Sequence, residues 1–221
     1  MDESGAGAGE QIKPRTFWHK AFLCCGAAGA VLFSLVYFIF GLISSHYYVL
    51  QQPVSDLLHV PYGWVQAINC EVNGLLICLF AIGLYKEMRG GFGDVLIPAC
   101  NVITGLAVML LGKFNNGECV IFWYLVIFLS VLITVLLMAY RFAIDARWPG
   151  WANYSVICAL LIILFSGIFS FLLINQGAYL GVFERLAIVT RLVWMFFFTW
   201  RMMEGRRLSP VETRQVHAAL K

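Results

Sequence analysis

Charge is scarce in this chain of 221 residues: Asp, Glu, Lys and Arg make up 12% of it, against 61% hydrophobic residues. A water-soluble domain carries about twice that charged fraction, so a soluble globular fold is excluded. Histidine is also scarce. His19, His46, His59 and His217 all fall at expected helix ends or in loops, and no HExxH or His/carboxylate cluster is present. No haem clamp and no metal site is expected, and no cofactor. The seven cysteines are odd in number and scattered, without a CxxC pair, so no disulfide framework or zinc site is read from them. Cys24 and Cys25 near the start of the first apolar run are readable as acylation sites or, more simply, as small apolar packing residues.

What is present is hydrophobic length. Runs of roughly 20 apolar residues can each cross about 30 Å of hydrocarbon as helix. Such runs lie near residues 21–45, 63–85, 95–112, 119–140, 152–174 and 182–203. The reading is an all-α polytopic membrane protein, a bundle of six transmembrane helices over 17–204. The first run is too long for a signal-peptide core and has no clear cleavage site, so it counts as a span.

Lys and Arg near span ends are retained on the cytoplasmic side. Lys13, Arg15, Lys20, Lys86, Arg89, Arg141, Arg147, Arg201, Arg206, Arg207, Arg214 and Lys221 fall on one side, twelve of the fifteen basic residues. Both termini are therefore expected in the cytoplasm. The net charge of +3 records this asymmetry and points to no nucleic-acid partner. Residues 1–16, Gly/Ala-rich at their start, are expected to be disordered. Ser209-Pro210-Val211-Glu212 has the order of a helix start, so 205–221 is expected to hold a short cytoplasmic helix.

The polar residues inside the spans are unevenly placed. The outer half of the second span carries Gln66, Asn69, Glu71 and Asn73, and the last span carries Glu184, Arg185 and Arg191. A charge at the centre of a membrane helix costs at least about 2.5–3.5 kcal/mol, so it normally faces other helices or a wet cavity. Glu71 and Arg191 lie at matching depths, roughly 12–13 Å along their helices at 1.5 Å per residue. If the two helices are neighbours, a Glu71–Arg191 ion pair satisfies both. Glu71 is, however, turned by about 200° from Asn69 at 100° per residue, so the second span needs two polar neighbourhoods.

Between Pro53 and Pro61, Ser55, Asp56 and His59 alternate with Val54, Leu57, Leu58 and Val60. That pattern predicts a short helix capped by Ser55 and folded onto the bundle; a hydrolytic centre is the poorer reading, because no nucleophile elbow is present. Together these groups predict a polar, partly hydrated pocket opening outward. Each also has a plain alternative: Asn69, Asn73 and Asn101 as glue between helices, Glu71 and Arg191 as a lock between two helices, Glu184 and Arg185 as interfacial anchors. Gly26 with Ala30, and Ser166, Gly167 and Ser170, supply small residues for close helix packing.

Pro53-Val-Ser55-Asp56-Leu57, Pro61-Tyr-Gly63, Gly83-Leu84, Gly112-Lys-Phe-Asn-Asn-Gly117-Glu118 and Gly181-Val-Phe-Glu184-Arg185-Leu186 resemble an uncharacterised six-helix prokaryotic membrane family, domain of unknown function nine-nine-eight. That family is distantly similar to the FRAG/DRAM/Sfk group. The resemblance spans about residues 20–204 and implies the six-helix fold and an emphasis on Ser55, Asp56, Glu184 and Arg185. It also implies a prokaryotic inner membrane as the location, and no established activity. Where the family carries a His-containing stretch at the start of the fourth helix, this chain has Cys119-Val-Ile-Phe-Trp123.

Three functions fit the sequence. The first is a non-enzymatic accessory or scaffold subunit, packed against a larger membrane complex or a second copy of itself. The second is a binder or transporter of a small anionic solute or lipid headgroup, with Arg191 and Arg185 holding the anion and Glu71 as a proton-linked or orienting acid. The third is a lipid-modifying enzyme with Asp56 or Glu71 as general base; no residue is assigned as catalytic. The expected partners are the bilayer and a bound lipid.

Overall fold

The computed structural model describes residues 17–114, 118–145, 148–175 and 177–204. The expected terminal segments 1–16 and 205–221 lie outside these. Six helices follow one another: α1 Phe17–Ile43, α2 Trp64–Met88, α3 Leu96–Lys113, α4 Glu118–Ile144, α5 Trp151–Ile174 and α6 Leu180–Glu204. At 1.5 Å per residue they are about 27–40 Å long. Five are long and apolar enough to cross a membrane, and α6 is the exception. Its charged residues lower its hydropathy, yet it packs along α5 on one side and α1 on the other.

Each helix packs against its neighbours in sequence, and α6 closes on α1. The result is a ring of antiparallel helices with the start of α1 and the end of α6 at the same end of the bundle, the terminal end. The short connections explain this order, since antiparallel neighbours are what short loops permit. In α4, Ile121, Leu125, Leu129, Ile133, Leu136 and Tyr140 are exposed at three- and four-residue spacing, whereas Val131, Val135, Met138 and Phe142 are buried. This is the two-faced pattern of a helix with lipid outside and protein inside.

Small residues set how closely the ring closes. A Cβ at Gly74 would lie 2.4 Å from the Gly105 carbonyl oxygen, and one at Gly105 would lie 2.6 Å from that of Gly74. Backbones of α2 and α3 therefore touch where no side chain fits, the device membrane helices use in place of a hydrophobic drive. Gly26 is likewise pressed against Phe80 and Thr199. The expected small-residue stripe on α5 is different: nothing lies within 4 Å of a Cβ at Gly167, so that face makes no close helix contact.

The terminal end is filled with rings. Phe198 stacks on Trp194 at 5.3 Å and meets Phe142 at 5.8 Å, Phe80 at 6.2 Å and Trp148 at 6.2 Å. Outside this plug, Arg141 of α4 donates to the carbonyls of Met88 and Phe92 and so ties down the α2–α3 turn. Gly90 and Gly93 make that turn with positive φ of 81° and 71°, a region open to glycine at no steric cost.

Candidate functional site

The opposite end of the ring is closed by the α1–α2 connection. Within it, between Pro53 and Pro61, Val54–Leu58 forms a short 3-10 helix that packs on α1, α2 and α6. Val54 and Leu57 are buried, so the apolar side of this turn seals the bundle as a lid. The expected Ser55 cap is not what starts it. Pro53 holds the cap position without a side-chain hydrogen bond, and the Ser55 side chain is turned inward to the Tyr124 phenol.

Two adjacent residues at the start of α6 latch the lid. Glu184 is only 3% exposed. Its carboxylate accepts a hydrogen bond from the backbone N–H of Val54 and another from the Tyr124 hydroxyl, so it joins α6, the lid and α4. Arg185 donates to the carbonyls of Gln52 at 3.1 Å and Gly181 at 2.8 Å, and to the Tyr47 hydroxyl. Tyr47 in turn donates to the Pro53 carbonyl at 2.9 Å. Burial pushes the Tyr47 phenol up to about 12, so that proton stays in place further into the alkaline range than on an exposed tyrosine. Gly181 is required here: a Cβ on it would lie 2.3 Å from the Gln52 carbonyl and 2.7 Å from that of Val49. The interfacial anchoring expected of Glu184 is thus replaced by a buried structural bond. A carboxylate with two donors at this depth can stay inside because its oxygens are satisfied.

Beneath the lid the ring holds a partly open cavity of about 130 Å³. All six helices and the lid contribute to its wall. Phe33, Val108, Phe128, Ile162 and Leu192 make most of it apolar, with Gln66, Asn73, Ser166, Glu184 and Arg191 among the polar exceptions. The polar, partly hydrated pocket expected from the sequence is therefore a mostly apolar one, because the latch uses up the polar groups of the lid and Asn69 is spent on structure. Asn69 donates to the Phe33 carbonyl of α1 at 3.3 Å and to Gln66 at 3.2 Å. Asn73 lines the cavity, but its carbonyl oxygen is buried without a hydrogen-bond donor.

The expected Glu71–Arg191 pair does not form. Glu71 instead pairs with Lys113 of α3 at 3.5 Å, the two side chains being 44% and 59% exposed. The helical angle explains it: Asn69 and Asn73 face inward, so Glu71 points out of the ring towards the end of α3. In addition, α2 packs between α1 and α3 while α6 packs between α5 and α1. Asp56, half-buried in the lid, does not line the cavity.

Arg191 remains. Among the described residues lining the cavity it is the sole cation and Glu184 the sole acid. Glu184 is occupied by the latch, and Arg191 makes no hydrogen bond, ion pair or ring contact with any described residue. On its other side lies a second cavity of about 10 Å³ beside Asn101, Thr104 and Thr134, room for about one water. Sequence pattern does not mark Tyr47 and Tyr124, the partners that complete the latch. The signal was available in principle, since a buried Tyr needs a partner for its hydroxyl, but nothing local distinguishes these from the seven other tyrosines.

No match was found among curated proteins or among solved structures. One family model does match, over residues 27–201, and takes in α2–α5, the lid, the later part of α1 and α6 up to Arg201. The chain therefore belongs to the family described as protein of unknown function (DUF998).

Proposed function

We propose that this protein binds a small anionic solute inside the six-helix ring, with Arg191 as the anion-holding residue and the lid as the barrier over the site. The observation that carries the reading is a guanidinium on the wall of an apolar cavity with no partner from the described chain. Five N–H donors left unpaired in such surroundings are costly. An anion supplies the missing partner, and mostly apolar cavities with a few polar groups are the usual form of small-molecule sites.

The basic residues Lys20, Lys86, Arg89, Arg141 and Arg201 lie towards the terminal end, which supports an orientation with both termini in the cytoplasm and the lid on the outer face. Release of the latch would then open the cavity outward. The accessory-subunit reading has no comparable support, because the exposed apolar stripes are what lipid contact alone requires. The enzyme reading has less, since neither Asp56 nor Glu71 lines the cavity.

The test is thermal unfolding of the purified protein against a panel of small anions and their neutral analogues. A ligand at 100 times its Kd stabilises by about 2.7 kcal/mol. At least one anion should raise the melting temperature of the native protein and leave Arg191→Gln unmoved. A panel that shifts both proteins equally removes Arg191 from the site.

A further inference from the structure

The anion-binding reading leaves the ligand's chemistry open, and the cavity walls narrow it. We propose that the site takes a small monocarboxylate with a compact apolar body, an aromatic or branched aliphatic acid, its carboxylate on Arg191 and its body against Phe33, Val108, Phe128 and Ile162. This inference rests on the reading just given.

Charge, size and wall chemistry each select this class. With Arg191 the sole cation and Glu184 the sole acid among the described lining residues, a monoanion is matched by one guanidinium. A dianion such as phosphate would bring a second negative charge that no second cation on the wall matches. The volume of about 130 Å³ is close to the roughly 150 Å³ of a dry aliphatic cavity known to hold benzene. The two chains of a phospholipid do not fit within that volume, and a bare inorganic ion leaves most of it unfilled.

The wall decides between the remaining candidates. Apart from Arg191, few donors face the cavity, chiefly the amides of Gln66 and Asn73 and the hydroxyl of Ser166. A strongly hydrated anion would lose its water shell for too few replacements. An apolar body recovers hydrophobic free energy over the same wall, and a carboxylate matches a guanidinium with two parallel hydrogen bonds.

The experiment titrates the full-length protein, in detergent or nanodiscs, with benzoate, benzyl alcohol, inorganic phosphate and phosphatidate-containing vesicles. Benzoate should bind at least about tenfold more tightly than benzyl alcohol, which keeps the ring and lacks the charge. Arg191→Gln should weaken benzoate by about tenfold or more, and Arg191→Lys should recover part of the loss. No described group loses a partner when Arg191 is replaced, so these variants should fold. Ile162→Trp, which fills the cavity and keeps the cation, should abolish benzoate binding by a separate route.

Arg191-dependent binding of phosphate or phosphatidate with none of benzoate overturns the monocarboxylate inference and leaves the anion site standing. Absence of any Arg191-dependent anion binding overturns both. Benzoate binding that survives Arg191→Gln and Ile162→Trp places the acid elsewhere and also overturns the inference.

Discussion

Replacing Glu184 with Ala should be among the most damaging single changes in the chain. The alanine removes the acceptor for two donors at once, the Val54 N–H and the Tyr124 hydroxyl, at a position only 3% exposed. A buried donor left unpaired costs about 1–3 kcal/mol, so the pair should cost about 2–6 kcal/mol. For a chain of this length each kcal/mol moves the melting temperature by roughly 2–4 °C, which places the drop between roughly 4 and 24 °C. Glu184→Gln keeps one acceptor and gains a donor that the phenol oxygen can receive, so it should fall well short of the alanine.

Tyr124→Phe isolates one arm of the latch and should cost about 1.5–3 kcal/mol, the range for a hydrogen bond to a charged group. The double variant Tyr124→Phe/Glu184→Ala should cost less than the two singles added, with a coupling of about 0.5–3 kcal/mol. Thermal unfolding gives the ranking, and amide exchange at Val54 gives the local readout: its protection should vanish in Glu184→Ala and survive in Tyr124→Phe. A Glu184→Ala protein within about 0.5 kcal/mol of native, as a surface change would be, or a cycle with no coupling, would refute the latch.

Other substitutions separate this structure from its alternatives. Glu71→Gln should change stability by no more than about 1 kcal/mol, as expected for the exposed pair with Lys113; a loss of about 3–5 kcal/mol in unfolding would mean a buried pair instead. Gly105→Ala should cost about 1–3 kcal/mol through overpacking against Gly74, whereas Gly167→Ala, with open space around it, should be neutral or slightly stabilising in the same melts. Asp56 gives a pH signature. Burial raises its carboxyl above the ordinary 3.8, so the folded lid holds the proton more tightly than the unfolded chain does; the associated stability is complete below about 3.8 and is lost as pH rises through the folded value. Exchange of the Val54–Leu58 amides, corrected for intrinsic rates, should therefore quicken over that rise, and Asp56→Asn should flatten the change.

The six helices and their ends are legible in the sequence because hydrophobic length is a local property, and a span needs no knowledge of its neighbours. The inward and outward faces are nearly as legible. The angle between Asn69 and Glu71 already requires two environments on the second helix, and the structure supplies them as the Phe33 carbonyl on one side and Lys113 on the other. The depth of Arg191 marks it as a residue that needs explaining.

Which groups meet across the ring is a different matter. Matching depth on two helices says nothing of their order around a bundle, and α2 and α6 each pack between other helices. Only closure of the ring brings Tyr124 and the Val54 N–H to Glu184 and the Tyr47 hydroxyl to Arg185, and only that closure leaves Arg191 alone on an apolar wall. Hydrophobicity acts residue by residue and can be read along the chain. Hydrogen bonds depend on direction and on partners distant in sequence, so the latch and the cavity beneath it exist only once six helices have packed.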